Sequence, residues 1–472
     1  MAATSPWDPV PEARAALERL RAHVRGTVIE PTDDRYEQAR AVWNGMIDRR
    51  PRAIVRAASV EDIAPVIAAA QETGLPLAVR GGGHSIAGLG TVDDGIVLDL
   101  GALTAVEVDA EQRLVTVEPG ATAADVDAAT SAHGLAVPLG VVSTPGVAGM
   151  ALGGGVGWLV RRAGLTADAL VRAELVLASG QRVTADQDSH ADLLWGLRGG
   201  GGNFGVVSSF TFRAVTMPRQ VQGATLFYRR PQWRRALAAF SRWAATLPDE
   251  MSAIATFAAL PASFGRGDQP WLMLRIVHLG EDPREGSAWL ERLRRAAAPD
   301  EEEVGVVAWP SWQSATDEMF PAGSRAFWSN LAFSRTDEDA LDTIVTFASR
   351  ISRVGSGIDI HLLGGEFARV PEAATAFPNR SAPYWMNIFG FWDRAEEDRP
   401  RTDFAQSAHE VMRFLSEHGE YVNFLGSEHS RPITELSRRI YGEEKYQHLQ
   451  RLKQRYDPHN LFRVNYNVSP ER

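Results

Sequence analysis

The residues best able to do chemistry sit together in the stretch Val79–Gly90, VRGGGHSIAGLG. Three glycines, Gly81, Gly82 and Gly83, run into His84, with Arg80 before them and Ser85 after. Glycine leaves backbone N–H groups open to an anion, and a neutral imidazole nitrogen is a nucleophile and a proton carrier. Two further glycine clusters precede residue 210, GVAGMALGGGVG over Gly146–Gly157 and RGGGGNFG over Arg198–Gly205. One such cluster alone reads equally well as tight turns. Three together read as a backbone cradle that approaches a ligand closely, with room for a pyrophosphate and a flat ring. A second group lies far along the chain. Asp359 and His361 in GIDIHLLGG are two residues apart and share one strand face, while Ile358, Ile360 and Leu362 share the other. They are a candidate acid and base, or equally the solvent face of a half-exposed strand. In YWMNIFGFW the same parity groups Trp385, Asn387 and Phe389, which could line the same pocket.

Several other chemistries are excluded. The chain has 472 residues and no cysteine, which removes disulfides, iron–sulfur clusters and thiol catalysis. Its 11 histidines show no HxH, HxxxH or HExxH spacing, so no metal site is expected. A formal net charge of −10 argues against nucleic acid as a partner. No apolar run is long enough to span a membrane. The opening MAATSPWDPVPEARAALERL lacks the apolar core of a secretory signal, so the cytoplasm is the expected compartment. GGGNFG holds a formal GxGxxG at Gly200, Gly202 and Gly205, but it follows the helical HADLLWGLR and precedes the strand-like VVSSFTFRAV. That order is the reverse of a Rossmann fingerprint. GHSIAG misses the GxSxG nucleophile elbow by one residue, and no GxxxxGK[ST] loop is present.

The elements that must position these residues form an α+β pattern. RAIVRA, LPLAVR, GIVLDL and RLVTVEPG read as strands, and LPLAVR delivers the chain straight into Gly81. SVEDIAPVIAAAQETG reads as a helix with Ser59 and Asp62 as capping box and Gly74 as stop; TAADVDAATSAHG reads as another. Past about residue 218 the glycine runs end. Nine of the 13 tryptophans fall between Trp233 and Trp392, which marks a second domain in a chain too long for one core. The basic helix in YGEEKYQHLQRLKQRY stops at Asp457–Pro458.

Four blocks, RGGGHS, GVVSTPGVAGMALGGGVGWLVRRAGLTADAL, DLLWGLRGGGGNFGVVSSF and YVNF…YGEEKYQHLQRLKQRYDPHNLFRVNYN, occur in the order seen in berberine-bridge-enzyme-like flavoproteins. The chain resembles that family, part of the vanillyl-alcohol-oxidase superfamily, over nearly its whole length. The resemblance implies a two-domain PCMH-type FAD-binding fold. The FAD domain would span 1–218 (core about 47–218), and a substrate domain over 219–418 would rest on a large antiparallel sheet flanked by helices. A C-terminal segment, 419–472, would return to the FAD domain. The implied activity is an FAD-dependent oxidoreductase, an oxidase in preference to a dehydrogenase with both left open, acting as monomer or homodimer. It would take hydride from a small alcohol, amine or polyketide or aromatic secondary metabolite, with O2 as electron acceptor. The alternative is a non-catalytic protein of the same fold that sequesters a drug or metabolite. A nicotinamide-dependent reductase is disfavoured by the lack of a second nucleotide fingerprint.

By the same resemblance, His84 carries FAD covalently through the flavin 8α-methyl carbon, with Arg80, Gly81, Gly82, Gly83, Ser85 and Gly88 around the cofactor. Further cofactor residues implied are Val142, Ser143, Thr144, Gly146, Gly149, Met150, Gly153, Gly154, Gly155, Gly157 and Val206, then Asn423, Asn465, Tyr466 and Asn467. Many relatives attach FAD a second time through a cysteine in a GVC pattern; here the stretch is GVV and Val142 takes that place. A single 8α-histidyl bond is therefore implied, as in a singly linked bacterial subgroup, with a weaker oxidant and smaller substrates. Met150 stands where relatives often have a histidine beside the flavin, and Pro145 where they control oxygen access. The tyrosine of a YxNY pattern is replaced by Phe424, and Asn387 stands where a roof-strand carboxylate is often found. Asp359, His361, Tyr466, Asn387 and Tyr421 remain as catalytic candidates. Without a placed tyrosine base, an electron-rich amine, phenol or polyketide is favoured over a simple sugar.

Overall fold

The computed structural model describes residues 11–351, 354–416, 421–426 and 433–471; the first ten residues and the expected boundary at 418/419 fall outside them. The first sheet is small. Strands β2 (Ala53–Arg56) and β3 (Leu77–Arg80) flank β4 (Ile96–Asp99) in parallel, and β1 (Thr27–Ile29) pairs antiparallel with β2. Parallel strands are covered on both faces, which is why AIV and IVL read as unbroken apolar runs. The helix Ile63–Thr73 crosses from β2 to β3, burying Ile63, Val66, Ile67 and Ala70 against the sheet. At its entry the Asp62 carboxylate accepts from the Ala58 N–H at 2.8 Å and the Ser59 N–H at 3.4 Å, the acid half of the expected capping box. Gly74, at φ 67°, ends it.

Strands β5 (Val106–Asp109), β6 (Leu114–Val117), β7 (Leu135–Ala136), β8 (Leu170–Val176), β9 (Arg182–Ala185), β10 (Val206–Arg213) and β11 (Val215–Thr216) follow. Five of them form an antiparallel sheet in the order β5-β6-β10-β8-β9, and β7 pairs with β11. The stretch HADLLWGLR folds as the helix Ala191–Leu197 and VVSSFTFR as β10, so the glycine run between them joins helix to strand.

A seven-stranded antiparallel sheet begins at Gln220. Its strands are β12 (Gln220–Tyr228), β13 (Met251–Ala258), β14 (Trp271–His278), β15 (Glu301–Ala308), β16 (Arg325–Phe333), β17 (Ser356–Leu362) and β18 (Tyr384–Trp392), in the order β15-β12-β14-β13-β17-β18-β16. Alternation decides its two faces. Leu272, Leu274, Ala255, Phe257, Ile358, Ile360, Met386 and Ile388 join the core made with helices Trp233–Ala244, Glu338–Ala348 and Asp398–Met412. The residues between them look the other way, toward the first half of the chain.

The C-terminal segment returns to that first half. The helical stretch Ile433–Tyr456 is broken at Gly442, φ 72°, and its Leu436, Ile440, Tyr446, Leu449 and Leu452 enter the core of the five-stranded sheet. Lys453, fully buried, anchors the return. Its ammonium donates to Asp457 at 2.8 Å and to the carbonyls of Asn203 and Phe462 at 2.7 and 2.8 Å. A charge so far from water is tolerable because all three of its protons have acceptors. Among the described residues no helix is long and apolar enough to cross a membrane.

Candidate active site

A cavity lies between the glycine loops and the inward face of the seven-stranded sheet. Its floor takes Arg80, Gly81, Gly82, Gly83, His84 and Ser85 from the loop after β3. Val142, Gly146, Gly149, Met150, Gly153 and Val206 extend that floor. The first two glycine loops touch backbone to backbone: a Cβ on Gly82 would lie 2.6 Å from the Gly146 Cα, so no other residue fits either position. Gly83 adopts φ 68°, the left-handed turn that brings His84 into the cavity. Arg80 does not project as a free cation. Its guanidinium pairs with Asp99 at 2.8 Å and donates to the Ala39 carbonyl at 2.7 Å, while its stem packs under Gly83 and Gly90. Arg80 thus braces the loop from beneath.

His84 stacks on Trp43, with ring centroids 4.2 Å apart and planes at 22°. Its Nε2 lies 3.4 Å from the Thr144 hydroxyl. Burial pushes the imidazole down to about 4, so the ring is neutral near pH 7. A neutral ring keeps a lone pair for bond formation.

The roof carries the sheet's polar residues. Asp359 sits opposite Thr256 on β13 and Asn387 on β18, and Asn387 sits opposite Asn330 on β16. Asp359, His361 and Asn387 all line the cavity, so the alternative of a solvent face does not hold: the three are 6%, 3% and 2% exposed. The Thr256 hydroxyl donates to Asp359 at 2.7 Å. Burial pushes the Asp359 carboxyl up to about 7, while the Thr256 hydrogen bond and the Arg275 charge pull it back. Burial lowers His361 to about 4, which leaves it neutral. Phe320, Trp328 and Phe424 complete an aromatic wall beside these groups.

Tyr421, Asn423, Asn465 and Tyr466 close the cavity from the C-terminal side. The Tyr421 oxygen accepts from the Gly155 and Val156 N–H groups at 2.9 and 3.2 Å and from the Asn423 amide at 3.1 Å. Its ring stacks on Trp385 at 4.9 Å. That geometry makes Tyr421 a strut between the two halves of the chain. The Tyr466 hydroxyl donates to the Leu425 carbonyl at 3.1 Å. Asn465 donates to the Gly202 and Phe462 carbonyls at 3.2 and 3.0 Å.

Seven residues expected on the cofactor do not line the cavity: Gly88, Ser143, Thr144, Gly154, Gly155, Gly157 and Asn467. Gly88 lies under Ile47, Gly154 against Phe377, Gly155 against Thr166 and Gly157 against the Leu139 carbonyl, so these glycines serve close packing. Ser143 turns to the second domain, where Asp317 accepts from both its N–H (2.9 Å) and its hydroxyl. Asn467 reaches Ser469. Thr144 touches the site only through His84.

Sequence reading missed Trp43, Thr256, Arg275, Asn330 and Trp328. Arg275 is fully buried between Trp158 and Trp312, its guanidinium carbon 4.8 and 4.4 Å from their rings, and donates to Thr316 at 2.8 Å. Asn330 holds the YVNF stretch, accepting from the Tyr421 N–H at 2.9 Å and donating to the Tyr421 and Phe424 carbonyls at 3.2 Å. Parity along β13 and β16 marks Thr256 and Trp328 only once those strands are known to adjoin the site.

The cavity's residues fit FAD. Four buried polar atoms that line it have no protein partner: Asn465 Oδ1, Asn387 Oδ1, His361 Nε2 and Trp328 Nε1. Buried polar groups without partners are rare unless a ligand or water serves them. The backbone-walled end of the cavity suits a dinucleotide, and the aromatic end suits a flat ring and its substrate.

Comparison with known proteins agrees. An FAD binding domain model matches residues 51–186, and a model described as berberine and berberine like matches residues 420–469. The uncharacterised FAD-linked oxidoreductase YgaK of Bacillus subtilis is 28% identical, with 96% of this chain and 98% of the relative covered. (R)-6-hydroxynicotine oxidase of Paenarthrobacter nicotinovorans is 27% identical over 95% of this chain and 97% of its own length. Among solved structures, the glucooligosaccharide oxidase of Acremonium strictum, with its 6-S-cysteinyl, 8α-N1-histidyl FAD, shares the fold at a TM-score of 0.85 and 23% identity, covering 98% of this chain and 99% of that one. With a glycine-walled cavity, the two matching domains and relatives aligned end to end, the chain is an FAD-linked oxidoreductase that carries an FAD binding domain and a berberine-like C-terminal domain on the two-domain PCMH-type fold.

Proposed function

We propose that the protein is an oxidase that takes hydride from a small, electron-rich aromatic substrate, an amine or a phenol-type metabolite, with FAD joined to His84 by a single bond and O2 as electron acceptor. We divide it, on the same reading, into an FAD domain over 1–218, a substrate domain over 219–418 and a returning segment from 419. The observation that carries the proposal is the placing of a neutral His84 on the floor and a buried Asp359 on the roof of one cavity. Bound flavin supplies the hydride acceptor and the site of reaction with O2.

The chain's own residues account for the rest. Asp359, when ionised, takes a proton from the substrate hydroxyl or amine through its cavity-facing carboxylate. Asn387 Oδ1 and His361 Nε2, both unpartnered, orient the polar end of the substrate. Phe320, Trp328 and Phe424 hold its apolar end and keep water out. Among the described lining residues, Arg80 is the only one with a fixed positive charge, and Asp99 already takes it. An anionic substrate such as a carboxylate would find no cation here, which favours a neutral or cationic one. A buried acid beside the site also favours turnover over simple sequestration.

The test begins with acid precipitation of the wild type and of His84→Ala. Yellow colour that stays in the wild-type pellet and moves to the supernatant in the variant is expected. Colour released from both would end the covalent reading. Aromatic amines and phenols are then added without oxygen. Bleaching of the flavin, reversed by air with formation of hydrogen peroxide, is expected; a flavin that no member of the panel bleaches would favour a sequestering role.

A further inference from the structure

We propose that Trp43 is the positioning residue that presents His84 for covalent attachment of FAD. The inference rests on the reading that His84 carries the cofactor. Trp43 lies 41 positions before His84 and belongs to none of the family-like blocks around the site. Yet its indole stacks on one face of the imidazole.

Trp43 is itself fixed from two sides. Its backbone N–H donates to the carbonyl of Gly83, the residue before His84, at 3.0 Å, so the segment around Trp43 is tied to the attachment loop. Its own carbonyl accepts from Gly323, at the approach to β16, at 2.8 Å. Asn44, 1% exposed, extends the clasp: its amide donates to the Ile86 and Ala326 carbonyls at 2.7 and 2.9 Å, and its oxygen accepts from the Ala326 N–H at 3.0 Å. From the roof, Trp328 and Phe391 meet the indole edge-on at 6.2 and 5.8 Å. The backbone at Trp43 is therefore held on both sides and its indole is flanked by aromatic rings, and turning the imidazole out of its plane breaks the stack. The long Thr144 contact at 3.4 Å is a weak constraint by comparison.

Attachment needs this control. It joins an imidazole nitrogen to the flavin 8α carbon with loss of one hydrogen from each, and O2 takes up both hydrogens and the electron pair as hydrogen peroxide. The nitrogen must be held neutral, in line with the carbon and away from water, for a reaction with no leaving group to drive it. The indole supplies orientation and dryness on one face.

The test separates total FAD from covalent FAD. Wild type, Trp43→Phe and Trp43→Leu are purified, total flavin is read by absorbance, and the acid-insoluble share is read by in-gel flavin fluorescence. Trp43→Phe, which keeps a ring, should retain nearly the wild-type covalent share. Trp43→Leu should keep bound FAD but release at least half of it in acid. Should Trp43→Leu prove insoluble, Trp43→Met, which fills the space without a ring, takes its place with the same expectation. A fully covalent flavin in the ringless variant would overturn the proposal, as would equal loss in the phenylalanine variant. A wild type that itself releases its flavin sinks the covalent reading instead, before Trp43 is tested.

Discussion

The Thr256 hydroxyl donates to the Asp359 carboxylate at 2.7 Å from directly opposite positions on β13 and β17. The bond does two things at once. It engages one carboxylate oxygen, and it stabilises the charged form of an acid that burial otherwise keeps protonated.

Asp359→Asn removes the proton acceptor and keeps the shape. The rate of flavin reduction by substrate should fall by about 10²–10⁴-fold, with the covalent flavin share unchanged. Anaerobic stopped-flow measures the first and acid precipitation the second. A rate within threefold of wild type would remove Asp359 from the chemistry.

The pH profile follows from the same carboxyl. With Asp359 raised to about 7, flavin reduction should climb with pH and level off above that value. The hydrogen bond from Thr256 lowers this value, so Thr256→Val should move the limb to higher pH, with slower reduction at pH 7 and a similar plateau. Thr256→Ser should restore the profile. A limb that stays in place in Thr256→Val would show that the hydroxyl does not tune the acid.

Stability should respond to the same group with a definite sign. Asp359 binds its proton more tightly folded, at about 7, than unfolded, near the ordinary 3.8. The folded state therefore holds the extra proton between those values, and stability is lost as pH rises through that window. Asp359→Asn has no such loss. It should melt with the wild type at pH 4 and above it at pH 8, in thermal unfolding followed by tryptophan fluorescence.

Tyr421→Phe distinguishes a strut from a base. The change leaves the Gly155 and Val156 N–H groups without their acceptor, which should cost about 1–3 kcal/mol, read by chemical denaturation. The pH profile of flavin reduction should keep its shape. Loss of the pH dependence would return Tyr421 to the catalytic group.

Local chemistry was legible in the sequence where one element contains the whole signal. Asp62 with Gly74 announced a helix, and the parity of residues 358–362 separated the polar from the apolar face of β17. The resemblance named Gly81–Gly83, Gly146 and Asn465, which line the cavity, and also Gly154, Gly155 and Gly157, which do not. Gly154, Gly155 and Gly157 belong to the same run as Gly153, and only the fold turns them toward Phe377, Thr166 and Leu139. The relationships between distant segments were invisible: Trp43 on His84, Asn330 on Tyr421, Asp317 on Ser143. Each joins segments at least 41 residues apart in the chain, which no local pattern encodes.

The cavity draws its walls from most of the chain's length, from Leu77 to Tyr466, with Trp43 behind it. This sets a timetable for biosynthesis. A nascent chain emerged as far as residue 416 has the glycine loops, the roof and Trp43, but still lacks Tyr421, Asn423, Asn465 and Tyr466. The cavity is therefore complete only once the last residues have folded back. A chain that ended before Tyr421 would lack Tyr421, Asn423, Asn465 and Tyr466 and leave that side of the cavity without its wall.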